Sequence, residues 1–187
     1  MHVIGAGVMG ANIAAWCGLK NLVVTVQDSK KEIIEPALSK ASTLFNRRLK
    51  NPAALDSAYN RLRSDPEGET ISQAEVVIEA IIEELEAKKE LFEKIEKNLD
   101  PATLLATNTS SINIEQISKH LKHPERFIGL HFFNPVDRLP LVEVIRSNAT
   151  DKNKFEDAIA FVKQIGKLPL PCRSVPGFVV NRVLAPY

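Results

Sequence analysis

His2-Val3-Ile4-Gly5-Ala6-Gly7-Val8-Met9-Gly10 sets three glycines behind a short apolar strand and ahead of a helix running to about Gly18. A second strand, Leu22-Val23-Val24-Thr25-Val26, ends at Gln27-Asp28, so an acid stands 18 positions after Gly10. In such a strand–turn–helix unit each glycine has a mechanical task. Gly5 permits the tight turn, Gly7 lets the backbone approach a pyrophosphate, and Gly10 lets the helix pack closely on the strand. The helix N-terminus then offers free N–H groups and the positive end of its dipole to phosphates. Asp28 is placed to accept hydrogen bonds from an adenosine ribose, and its charge would repel a 2′-phosphate. The pattern therefore predicts NAD rather than NADP. Glycine spacing alone is weak, and a bare glycine turn beside an exposed acid is the competing reading. The flanking elements favour the dinucleotide.

Outward from this unit, strands alternate with helices, which predicts a parallel sheet covered on both faces. A helix is expected from about Lys30 to Leu49, then a polar stretch through Gly68 with a third strand near Arg61–Ser64. Glu75–Ala80 reads as a buried strand, Leu85–Leu99 as a helix, Leu104–Thr107 as a strand and Ile114–Leu121 as a short helix. Phe127–His131 and Leu141–Ile145 are expected as two strands joined by a loop holding Asn134, Pro135 and Pro140. A helix over Lys152–Ile165, a strand at Leu168–Leu170 and a new helix from Pro176 complete the pattern. Abrupt ends on both sides imply a domain cut from something longer.

The formal net charge of +1 gives no electrostatic reason for a nucleic-acid partner. The longest apolar runs are broken by acids and too short to span a bilayer, so no membrane insertion is expected. No basic segment precedes an apolar one at the N-terminus, so no secretory signal is expected either. Cys17 and Cys172 are isolated, without metal-ligand or disulfide spacing, and no metal site is expected. A reducing, cytoplasm-like compartment fits, and a peroxisome or mitochondrial matrix would look the same.

Lys88 falls on the apolar stripe Leu85, Leu91, Phe92, Ile95, Leu99 of its helix, in the first turn. In a parallel α/β sheet that turn lies at the carboxyl edge, where ligands bind, so a cation there would meet cofactor or substrate. A snorkelling lysine with its head in water is the alternative, and Glu83 carries the same ambiguity. Among the four histidines, His120 and His123 lie in a Lys-rich polar segment and His2 in the first strand. His131 instead ends an apolar strand, and Glu143 sits within another, where a carboxylate needs a partner. An antiparallel pairing of those strands would bring the two together, with the acid fixing the imidazole tautomer. A buried structural pair and a catalytic pair fit these residues equally well.

Six blocks resemble one family. They are Gly-Ala-Gly-Val-Met-Gly (5–10), Val-Ile-Glu-Ala (77–80), Thr-Asn-Thr-Ser-Ser (107–111), Gly-Leu-His-Phe-Phe-Asn-Pro-Val (129–136), Leu-Val-Glu-Val-Ile (141–145) and Pro-Gly-Phe-Val-Val-Asn-Arg (176–182). Together they are similar to the NAD-binding half of the 3-hydroxyacyl-CoA dehydrogenases, most of all to that of the multifunctional fatty-acid β-oxidation enzymes. The resemblance implies a Rossmann-type doubly wound sheet, mostly parallel, with a C-terminal antiparallel hairpin extension. It implies an NAD-binding domain over 1–175, and over 176–187 the start of a linker helix to an all-helical domain that is absent here.

It further implies His131 as catalytic base, Glu143 as the acid paired with it, and Ser110 and Asn181 at the reacting oxygen. Gly5, Gly7, Met9, Gly10, Asp28, Ile82, Glu83, Lys88, Ser110 and Asn134 are implied as cofactor contacts. The implied reaction is NAD-dependent oxidation of L-3-hydroxyacyl-CoA, weak or absent in this chain alone. The full-length protein is expected to be dimeric or part of a β-oxidation complex. A non-catalytic NAD-binding relative, and a β-hydroxyacid dehydrogenase acting on free acids, are the competing functions. The second of these lacks the His-Phe-Phe-Asn-Pro block.

Overall fold

Strand β1 (His2–Ile4) is fully buried, because it is the central strand onto which both halves of the sheet are laid. The computed structural model describes residues 1–184. Behind β1 come helix α1 (Val8–Leu19), β2 (Val24–Gln27), α2 (Ile34–Arg48), α3 (Pro52–Arg61) and β3 (Leu62–Ser64). The second half runs β4 (Val76–Glu79), α4 (Leu85–Ile95), β5 (Leu104–Thr107), α5 (Ile114–Ser118) and β6 (Phe127–Phe132). It closes with β7 (Leu141–Arg146), α6 (Lys152–Gln164), β8 (Leu168–Arg173) and α7 (Val180–Leu184).

The eight strands form one sheet in the order β3-β2-β1-β4-β5-β6-β7-β8. All neighbours are parallel except β6 and β7, the antiparallel extension expected from sequence. The order reverses between β1 and β4, and at such a switch point the loops leaving the carboxyl ends diverge and open a crevice. The α/β class and doubly wound layout are thus as expected.

Period-two alternation divides the core between two faces. Val3, Ile78, Leu104, Ala106, Ile128, Val142 and Val144 pack with α1, α2 and α6. Ile4, Val77, Leu105, Phe127 and Ile145 pack with α4, α5 and Phe178. His131 shares the parity of Phe127, and Glu143 that of Ile145, so both project to the second face.

Several boundaries differ from expectation. The helix expected from Lys30 starts with a 3-10 turn at Lys31–Ile33, and α4 passes into another at Glu96–Asn98. The strand expected at Leu168–Leu170 continues to Arg173; its Pro169 and Pro171 are tolerated because β8 is an edge strand. Helix α3 lay in the stretch read only as polar. Its start is nonetheless written in the sequence, since Pro52 occupies the first turn and Asn51 Oδ1 accepts from Ala53 N at 2.9 Å and Ala54 N at 3.3 Å. Asn51→Ala should therefore destabilise the fold by about 1 kcal/mol, read as a lower urea midpoint at unchanged slope.

Candidate active site

The Gly5–Gly10 turn is closed by backbone contact. Gly5 holds φ +104°, which only glycine adopts without strain. A Cβ on Gly10 would overlap the Gly5 carbonyl oxygen, so α1 approaches β1 this closely only because the residue is glycine. Gly7 differs, because nothing lies within 4 Å of where its Cβ would stand. It caps α1 without any side-chain cap, and the first turn carries no acid. The first-turn amides are therefore left for an anion. Asp28 Oδ2 accepts from Ala6 N at 2.7 Å and Oδ1 from Lys30 N at 2.9 Å, so the acid also braces the turn.

An open cleft of about 520 Å³ lies in front of this turn, at the carboxyl edge of β1, β4, β5 and β6. Its walls include Gly7, Val8 and Met9 from the turn, Ile81, Ile82 and Glu83 after β4, Asn108 and Ser110 after β5, and His131, Phe133 and Asn134 after β6. Residues from four strand ends thus meet in one crevice.

Glu83 organises the loop after β5. Its Oε1 accepts from Thr109 Oγ1 at 2.6 Å, Ser110 N at 2.8 Å and Ser111 N at 3.1 Å. Partial burial works to raise this carboxyl, but those donors and the Lys88 ammonium hold it down to about 2. Ser110 Oγ lies 3.2 Å from the same oxygen, and Asn181 Nδ2 donates to the Ser110 carbonyl at 3.1 Å. Ser110 is therefore gripped from both sides, with its side chain exposed to the cleft.

His131 and Glu143 face each other across the antiparallel β6–β7 ladder, Nδ1 to Oε2 at 2.7 Å. The other Glu143 oxygen accepts from Val179 N at 2.9 Å and Val180 N at 2.8 Å. Burial pushes this carboxyl up, yet the donors from His131, Val180 and Val179 outweigh it and leave it ionised below its ordinary range. The imidazole packs against Phe133, centroids 4.4 Å apart, and against Phe178 at 5.8 Å. With Nδ1–H committed to the acid, the neutral ring carries its lone pair on Nε2.

Lys88 is 1% exposed, so it does not snorkel, and it does not itself line the cleft. Its Nζ donates to Glu79 Oε1 at 2.5 Å and lies 3.4 Å from Glu83 Oε2. Glu79 also accepts from Thr107 Oγ1 and Ile81 N, each at 2.7 Å. Burial pushes the Glu79 carboxyl upward, and these donors pull against it. Sequence reasoning gave Glu79 no role, although an acid inside Val-Val-Ile-Glu is the kind of buried charge that demands partners. It likewise passed over Asn108, whose Oδ1 holds Phe132 N at 2.9 Å, and Asn12, which donates to Asn134 Oδ1 at 3.3 Å. Among the described residues no group of three or more metal-ligating side chains is assembled.

A switch-point crevice with an uncapped glycine turn on one wall and a paired histidine on another marks the dinucleotide-dependent dehydrogenases as the class. Within that class, residues 1–175 match the 3-hydroxyacyl-CoA dehydrogenase NAD binding domain, and the chain belongs to that family. Its cofactor is NAD. The α subunit of the fatty acid oxidation complex from Pseudomonas savastanoi is 38% identical over 99% of this chain and 26% of its own length. The chain thus spans about a quarter of the curated relatives it matches. The crystal structure of 3-hydroxybutyryl-CoA dehydrogenase from Escherichia coli superposes with TM-score 0.95 at 39% identity, over all of this chain and 40% of that one. That of (S)-3-hydroxybutyryl-CoA dehydrogenase from Ralstonia eutropha gives 0.94 at 33% identity, over 99% of this chain and 67% of that one.

Lys88→Met would leave the Glu79 carboxylate buried without its cation and should cost about 3–5 kcal/mol in urea unfolding, with Glu79→Gln added to it restoring part of the loss. Glu83, depressed to about 2, contributes stability present above the ordinary carboxylate range and lost as pH falls from about 4.5 toward 2. Glu83→Gln should accordingly flatten the acid limb of the stability profile followed by circular dichroism.

Proposed function

We propose that this chain carries the cofactor cradle and the proton acceptor for oxidation of L-3-hydroxyacyl-CoA to 3-ketoacyl-CoA. One observation carries the reading: the His131–Glu143 pair and the glycine turn open onto the same cleft. The uncapped amides of α1 would hold the pyrophosphate, Asp28 the adenosine ribose, and Met9, Ile82, Glu83 and Asn134 the remaining walls, with Lys88 acting from behind through Glu83. NAD, when bound, supplies the hydride acceptor.

The chain's own chemistry then concerns one proton and one oxygen. Glu143 holds Nδ1–H, so Nε2 of His131 takes the substrate hydroxyl proton as the C3 hydride departs and the carbonyl forms. Ser110 and Asn181, joined at the Ser110 carbonyl, steady the reacting oxygen. Residues 176–187 begin the linker to an all-helical domain, of which 185–187 lie outside the described part. We assign the whole protein to a dimer or a β-oxidation complex; that its relatives are α subunits of fatty acid oxidation complexes supports the second. Cys17 and Cys172, both free thiols, suit a cytoplasmic setting. No described helix is long and apolar enough to cross a membrane.

Fluorescence titration should show NADH binding in preference to NADPH, with acetoacetyl-CoA-dependent oxidation of the bound NADH. That oxidation is expected to be weak in this chain alone; in the full-length enzyme His131→Ala should lower it about 100-fold or more while NADH affinity stays within about twofold. An equal fall in NADH affinity would sink the proton-acceptor role. Binding of neither nucleotide would sink the whole reading.

A further inference from the structure

The loop between β6 and β7 carries Asn134 on the cleft wall, and it is fastened by a residue that does not line the cleft. Lys167, three residues after α6 and 5% exposed, donates from Nζ to the carbonyls of Val136 and Leu139, the latter at 2.6 Å. The same ammonium sits 4.0 Å from the centroid of the Trp16 ring. Trp16 is itself fixed, its Nε1 donating to the Ile165 carbonyl at 2.9 Å. Leu168 N adds a bond to Pro140 O at 2.8 Å. A cationic side chain is thus built into a receptor of one aromatic face and two loop carbonyls.

Burying it opposes its charge, and its ammonium is pushed down to about 8, with Asp137 working the other way. A neutral side chain would avoid that cost, so the contacts it makes are what the fold gains in return. Both carbonyls belong to the segment immediately after Asn134-Pro135, and Asn12 grips Asn134 from α1. The chain therefore holds Asn134 between a light contact on one side and a charge-assisted clamp on the other.

We propose that Lys167 is a positioning residue that sets Asn134 against the nicotinamide half of the cofactor and has no part in holding the adenosine half. This rests on the assignment of the cleft to NAD: Asn134 lines the same wall as His131, the proposed proton acceptor, three residues further along the chain, which puts it at the reacting, nicotinamide end. The two halves of the dinucleotide separate the possibilities. ADP-ribose keeps the phosphates and adenosine but lacks nicotinamide, so it reports on the glycine turn and Asp28 without the nicotinamide end.

Lys167→Met and the milder Trp16→Phe should be titrated with NADH and with ADP-ribose by calorimetry. Lys167→Met is expected to weaken NADH about three- to tenfold, the worth of one hydrogen bond, and to leave ADP-ribose within about twofold. Adding Asn134→Ala to it should cost little more. If Lys167→Met does not fold, Trp16→Phe must still show the selective loss, smaller in size. Equal weakening of both ligands, or of neither, overturns the clamp while leaving the cofactor site standing. Failure of the unaltered chain to bind ADP-ribose overturns the cofactor reading and the clamp with it.

Discussion

Glu143 is a carboxylate with no exposed surface, and the architecture around the cleft follows from keeping it ionised. Removing such a charge from water costs several kcal/mol unless donors replace the lost solvation. Three do: the imidazole of His131 and the backbone amides of Val179 and Val180. The first demands that β6 and β7 pair antiparallel in one register, since a slip by one residue would turn either side chain to the other face. The other two demand that the chain after β8 return across the sheet end, with Phe178 at φ +47° and its ring buried beside the imidazole. A single acid thereby ties the proton acceptor to the segment that carries Asn181.

Glu79 is a second buried carboxyl surrounded by donors, though here burial outweighs them and leaves it above its ordinary range. It ends β4, and its donors come from β5, from the backbone just beyond β4 and from α4. The cation that neutralises it, Lys88, leans toward Glu83, which in turn gathers the amides of Ser110 and Ser111. Charge and hydrogen bonding therefore run without a break from the buried edge of the sheet to an exposed serine. In a crevice formed by loops, where apolar packing is thin, such a relay provides the rigidity that a positioned site needs.

The glycine turn works by the opposite principle, leaving groups unsatisfied. Gly5 and Gly10 bring strand and helix into backbone contact, while Gly7 has open space before it and the helix has no cap. The donors at that end are held ready by Asp28, which bonds Ala6 N from the neighbouring strand. Preorganised donors lose little entropy on meeting an anion, which is why this end of the molecule is built rigid and left without a side-chain cap.

Short-range chemistry made much of this legible in advance. The glycine spacing, the strand alternation and the period-3.6 stripes are properties of neighbouring residues, and they determined the α/β class, the parallel sheet covered on both faces and the dinucleotide turn, while the doubly wound layout was implied by the family resemblance. The His131–Glu143 contact was also readable, because an antiparallel hairpin converts sequence distance into register. Asn51-Pro52 shows that a start signal can be present and be passed over when the helix behind it is polar and covers little core. What only the tertiary structure decided were the partners of long or buried charges. Lys88 was placed correctly on its stripe, yet its ammonium could reach water, cofactor or acid, and only the packing of α4 over β4 selected Glu79. Lys167 has no local signal at all, since its carbonyl partners lie 31 and 28 residues away across the sheet edge. A flexible side chain is directed by whatever the fold sets within its reach, and no periodicity in the sequence encodes that.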